Sequence, residues 1–165
     1  MLTAFAYWIR ATPLGWAAAG GVVWLGPACL TLHFIGLVLL VGCVFAFDLR
    51  LLGVAKGLPV APLGSLMPWA VLGFLINLTT GLTLLAGNPF QYIDNPAFWL
   101  KMLFVVLAGV NVIIYYSTGL ARRAAAVASG QDAPFSAKTF AAMSLFLWIG
   151  VIYWGRMLLF IGNFF

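Results

Sequence analysis

Leu30-Thr-Leu-His33-Phe-Ile-Gly36-Leu-Val-Leu-Leu-Val-Gly42-Cys43-Val-Phe-Ala-Phe47 runs for eighteen residues without a formal charge, and Asp48-Leu-Arg50 follows at once. As a helix rising 1.5 Å per residue, such a run covers about 27 Å, close to the hydrocarbon thickness of a bilayer. The abrupt return of charge marks the exit into headgroups. Pro27 suits a first helical position, so a first span is expected from about Pro27 to Leu52.

Three further stretches read the same way. One runs from about Pro62 to Ala86 and stops at the turn signal Gly87-Asn88-Pro89. The next opens with Asn95 as cap and Pro96 at the first helical position. It reaches at least Tyr116 and is expected to continue to Ala128 outside the membrane. The last covers about residues 137–161, with Ser136 as N-cap. Each exceeds the ~20 residues needed to span. The expected fold is all-α: a single transmembrane domain, an integral membrane four-helix bundle. Residues 1–26 are read as interfacial, with a short helix over 2–10 and another, capped by Thr12-Pro13, reaching Trp24. This N-terminal region lacks a leading positive charge and is read as part of the mature protein.

Composition supports the same class. Of 165 residues 65% are hydrophobic and 7% charged, and the mean hydropathy is +1.13. A soluble domain carries roughly 25% charged residues. The acids are three: Asp48, Asp94 and Asp132. The net charge of +5 does not imply nucleic acid, because the basic residues are scattered singly except Arg122-Arg123. They set topology instead. Arg50, Lys56, Arg122, Arg123 and Lys138 flank the first and third connections, against Arg10, Lys101 and Arg156 on the other side. This predicts a bacterial inner (plasma) membrane protein with both connections cytoplasmic and both termini outside.

Small residues mark expected helix contacts: Gly36, Gly42, Gly73, Gly81, Ala108-Gly109, Gly150 and Gly155. Cys29 and Cys43 lie fourteen residues apart on one helix, about 21 Å in rise, too far to bridge.

Polar groups inside a membrane are costly, so each asks for a reason. His33, the sole histidine, lies on the first span. It can ligate a haem iron or metal, relay a proton, or pack against a neighbouring helix. Lys101 and Arg156 are expected near its depth, where the three form a pocket for an anion or snorkel outward. Asn77 with Thr80, and Asn111 with Tyr115, Thr118 and Arg122, form polar stripes that interhelical hydrogen bonds explain. Asp48 and Arg50 are expected as structural polar residues, paired with Arg122 or Arg123. With no second acid in a span, a proton-driven transporter is disfavoured. No nucleophile elbow, phosphate loop, paired carboxylates or metal cluster appears.

Three groups of residues resemble a family of small bacterial four-helix membrane proteins of unassigned function. They are Leu32-His33-Phe-Ile-Gly36 leading to Phe47-Asp48-Leu-Arg50-Leu-Leu-Gly53, Met67-Pro68-Trp69 with Gly73 and Thr80-Gly81, and Phe98-Trp-Leu-Lys101-Met102 with Ala108-Gly109-Val-Asn111. More distantly the layout is similar to the copper-resistance protein CopD and to HemJ-type membrane proteins. That likeness implies a haem b with His33 as axial ligand and Lys101 as propionate or substrate partner. A second family histidine near Tyr116 is missing here.

Two functions are therefore expected to compete. One is a redox-associated membrane subunit carrying one haem b through His33. Lys101 and Arg156 would hold the propionates, and Met102, Met157, Tyr116 or His33 of a second protomer would supply the other axial ligand. The other is a non-enzymatic accessory or assembly subunit that binds membrane lipid or a partner membrane protein, as a homo-oligomer or within a redox complex. Copper handling is a weaker third.

Overall fold

The computed structural model describes residues 2–161. Among them every regular element is helical. Four helices are long and apolar enough to cross a membrane, and the chain is a multi-pass, all-α membrane bundle. Its surface is the inverse of a soluble protein's. Phe34, Val38, Val106, Ile113 and Phe146 all face outward, which only a lipid solvent favours.

The first span, α3 (Leu25–Leu52), begins two residues earlier than Pro27 suggests, and that proline sits inside the first turn, where its missing N–H costs nothing. It ends on Gly53, whose φ of +102° turns its N–H back to the carbonyls of Leu49 and Arg50. The second span is bent at its start: α4 (Val60–Leu63) and a tight turn over Gly64–Leu66 lead into α5 (Met67–Gly87). After α6 (Pro89–Ile93), the third span α7 (Pro96–Ser117) opens as expected. The Asn95 side chain accepts from Ala97 N–H at 2.9 Å. Its Nδ2 donates to the Leu158 carbonyl at 3.1 Å, tying the turn to the last helix.

The third helix does not run on to Ala128. Gly119, at φ +73°, breaks it, and the chain restarts as α8 (Leu120–Ala125). The fourth span α9 (Phe135–Ile161) starts one residue before Ser136, so that serine lies inside the helix instead of capping it. At the N-terminus, α1 (Leu2–Arg10) and α2 (Pro13–Trp16) form as expected, with Thr12 Oγ1 accepting from Gly15 N–H. The second short helix stops well before Trp24: it widens over Ala17–Gly21 and breaks at Gly20, φ +115°. This segment lies on the terminal end of the bundle. Tyr7 stacks edgewise on Phe90, ring centroids 5.0 Å apart, and Arg10 Nη1 donates to the Gly87 carbonyl at 2.6 Å.

Helix α3 packs along α5 and against α9, and α9 packs along α7. The helices thus follow the order α5, α3, α9, α7, leaving a cleft between the flanking pair. Close approach is real at Gly36 and Gly73. A Cβ on Gly73 would lie 2.6 Å from Leu40 N, and one on Gly36 2.8 Å from Asn77 Nδ2. Gly150 lies against the Phe104 ring. Gly42 and Gly109, expected as contact glycines, have nothing within 4 Å of a Cβ.

The opposite, loop end is a polar clasp over a small core of Leu51, Val60, Leu120, Ala124 and Val127. Lys56 and Lys138 both bridge Asp132 at 2.9 Å. Their hydrogen bonds hold that exposed carboxyl well below the usual range, at about 2.

Candidate functional site

At the terminal end, His33 projects from α3 toward α5. Its Nδ1 lies 2.8 Å from Thr80 Oγ1. The Thr80 hydroxyl is already 2.7 Å from the Ile76 carbonyl, which can only accept. The hydroxyl has one proton and gives it to Ile76, so toward His33 it accepts. The ring therefore carries its proton on Nδ1 and leaves Nε2 as a bare lone pair.

Lys101 comes partly to this site. Its ammonium is close enough to His33 to act on it electrostatically. Its stem lies over Gly155, where a Cβ would meet Lys101 Cε at 3.7 Å. The glycine gives the lysine room to cross from α7 to α9. Arg156 does not join them. It is exposed and its guanidinium lies over the Phe160 ring, 5.5 Å from the centroid, so the expected three-cation pocket is a His33–Lys101 pair. Met102 follows Lys101 on α7 at this level. Tyr116 lies fifteen residues beyond Lys101, about 22 Å along the axis, at the loop end. It and His33 cannot share one ligand within a protomer.

Asn77 serves its own helix, donating to the Gly73 carbonyl at 2.9 Å; only Thr80 of that stripe crosses to a neighbour. Asn111 does bridge helices, donating to the Phe140 carbonyl at 3.3 Å.

Toward the loop end the expectation for Asp48 and Arg50 fails in an informative way. They form no pair with Arg122 or Arg123, which are exposed. Positions i and i+2 face different sides of a helix, and these two separate accordingly. Arg50, 1% exposed, turns into the clasp. Its Nε donates to the Leu58 carbonyl, and its Nη2 reaches the carbonyls of Lys56, Ala128 and Gln131 at 3.3–3.4 Å. Asp48, 5% exposed, turns the other way, toward the cleft, with the Ser144 hydroxyl as hydrogen-bonding neighbour.

That cleft encloses a cavity of about 370 Å³ between α5 and α7, floored by α3 and α9. Its wall is mainly apolar, with Leu40, Phe74, Val105, Ala108 and Trp148 among the residues that form it, and the polar side chains lining it are Asp48, Asn111, Tyr115, Tyr116 and Ser144. Two of these carry buried atoms with no hydrogen-bond partner: Asp48 Oδ2 and the Tyr115 hydroxyl. A buried polar atom left unpaired costs roughly 1–3 kcal/mol, so two in one cavity mark a place that something polar completes.

Ser144 escaped the reading of the sequence, where it is one serine in an apolar run. The spacing Leu40, Val44, Asp48 on α3 and Ala141, Ser144, Trp148 on α9 is the signal that places them on one face. Among the described residues, no three His, Cys, Asp or Glu side chains come together to hold a metal ion. Cys29 and Cys43 are both free thiols. Comparison with known protein families, curated proteins and solved structures finds no match to this chain.

Proposed function

We propose that this multi-pass membrane protein binds a lipid-like molecule, taken laterally from the bilayer into the cleft between α5 and α7, as a non-enzymatic accessory or assembly subunit. The observation that carries this reading is the cavity of about 370 Å³ with an apolar wall and two unsatisfied polar atoms at its loop end. Such a site, apolar with a few convergent polar groups, is the usual form of a small-molecule pocket. The excess of basic residues at the loop end, five against three, supports an inner membrane placement with both connections cytoplasmic.

Gly109 gives the test. It lines the cavity, and a Cβ there meets nothing within 4 Å, so Gly109→Phe fills the cleft without pushing helices apart. The purified wild-type protein is expected to carry apolar small molecules, detected by mass spectrometry of an organic extract, that the Gly109→Phe protein loses. Identical extracts from both would refute the reading.

A second reading rests on the bare Nε2 of His33. In it the chain is a redox-associated subunit, as its likeness to CopD and HemJ-type proteins implies. A haem b would find one axial nitrogen in His33, with Met102 or the His33 of a second copy as the other ligand, and Lys101 as the nearby cation. Haem supplies reversible one-electron transfer when bound. A reduced-minus-oxidised spectrum of protein expressed with added haem decides this reading, and a flat difference spectrum ends it.

A further inference from the structure

Asp48 is the one acidic side chain in the four spans; Asp94 and Asp132 lie in connections. A buried carboxyl in an apolar wall normally has a cationic partner, because an isolated charge there costs several kcal/mol. Asp48 has none. Among the described residues both ion pairs converge on Asp132. Arg50 is turned to loop carbonyls, and no lysine or arginine lines the cavity. The carboxyl's Oδ2 and the Tyr115 hydroxyl are unpartnered within that same cavity. Around them stand the rings of Phe47, Phe74, Tyr116, Phe140 and Trp148. Aromatic faces attract a cation, most strongly where water is excluded.

Building on the reading of the cleft as a ligand site, we propose that its ligand is a lipophilic organic cation. The ammonium sits against the Asp48 carboxylate and the Tyr115 hydroxyl, and the apolar body lies among the rings. The charge pattern chooses this class over an aminophospholipid. A phospholipid head brings a phosphate, and the cavity has no cation to receive one.

The full chain in discs of zwitterionic phosphatidylcholine provides the test. Two amphiphiles with the same twelve-carbon tail, brominated at the fifth carbon so that the bromine lies about one helical turn from the head, serve as probes: 5-bromododecyltrimethylammonium, with a fixed charge, and neutral 5-bromododecan-1-ol. Bromine quenches Trp148 fluorescence on contact, and a Trp148→Phe protein identifies that tryptophan's share. The ammonium is expected to quench at about one-tenth the concentration of the alcohol. In Asp48→Asn that preference disappears while the alcohol still quenches, which shows that the variant retains its cleft. Equal potency of the two probes in the wild type, or a preference that survives in Asp48→Asn, overturns the cation assignment and leaves the apolar-ligand reading standing. No quenching of Trp148 by either probe overturns both. Phosphatidylethanolamine added to the disc is expected to leave the titration unchanged; competition by it would overturn the exclusion of a phospholipid head.

Discussion

The Arg50 guanidinium is the keystone of the loop end, and its Nε–H···O contact with the Leu58 carbonyl is the closest of its bonds to the two connections. It is buried to 1% exposure without a carboxylate partner; loop carbonyls receive its Nε and Nη2, and its Nη1 is buried without a hydrogen-bond partner. Arg50→Gln removes the charge and most of the fork. Hydrogen bonds to a charged group contribute about 1.5–3 kcal/mol each, so a loss on the order of 3 kcal/mol is expected. Arg50→Lys is expected to recover little of it, because an ammonium on a straight stem cannot reach both connections at once. Thermal unfolding in detergent measures both, and a wild-type midpoint for Arg50→Lys would show that the charge alone suffices.

The Lys56–Asp132–Lys138 bridge tests the same clasp from its exposed side. Asp132 has its folded-state value depressed to about 2 by the two lysine hydrogen bonds. A depressed carboxylate contributes stability that is fully present above its unfolded value of about 4, and that contribution fades as pH falls toward 2. Asp132→Asn is therefore expected to speed amide exchange at Gly130, whose N–H donates to the Lys56 carbonyl at 2.8 Å, by an amount constant from pH 5 to 8. Because the carboxyl is exposed, added salt shrinks the difference. A difference that grows below pH 4 would contradict the assignment.

How legible the chain was from its sequence differs from one residue to the next. The apolar runs dictate four spans because lipid tolerates few alternatives to a helix of that length. The Asn95-Pro96 start and the Gly87-Asn88-Pro89 stop are local signals with local causes, and the structure follows them. The break at Gly119 was hidden, since a glycine between Thr118 and Leu120 reads equally well inside a helix. The partners of Asp48 were also out of reach. Which way a side chain points depends on which helices pack beside it, and the order α5, α3, α9, α7 is set by tertiary contacts. So Asp48 and Arg50, two residues apart and expected to pair with Arg122 or Arg123, instead serve a cleft and a clasp on different faces. A shared depth for His33 and Lys101 follows from counting residues along their helices, but the outward turn of Arg156, exposed beside the Phe160 ring, does not.

Glycine packing separates contact from mere smallness. A Cβ on Gly73 would stand 2.6 Å from Leu40 N and 2.7 Å from the Gly36 carbonyl oxygen. Both are backbone atoms that cannot swing aside, so Gly73→Ala must move α5 off α3. A cost of about 1–3 kcal/mol is expected. Gly42→Ala, on the same α3 but with nothing within 4 Å, is expected to be neutral or slightly stabilising, as alanine is the better helix former. Unfolding midpoints of the two proteins in one detergent compare them directly. Equal effects would mean that the helices are not in contact at Gly73.

The His33–Thr80 bond gives the most specific prediction, because its direction is fixed by a third group. Thr80 Oγ1 lies 2.7 Å from the Ile76 carbonyl and 2.8 Å from His33 Nδ1. The carbonyl can only accept, so the hydroxyl proton goes there, and the imidazole must donate from Nδ1. His33 is the sole histidine, so nitrogen-15 labelling of histidine gives one pair of ring resonances that needs no assignment. At neutral pH, Nδ1 is expected in the protonated range and Nε2 in the bare range. Thr80→Val keeps the shape but removes the acceptor. The ring then loses its fixed tautomer, the two resonances move toward each other, and stability falls by about 1 kcal/mol, the size of an interhelical hydrogen bond in a membrane. A protonated Nε2 in the wild type would reverse the bond, close the lone pair to any metal or haem, and remove the support for the redox reading.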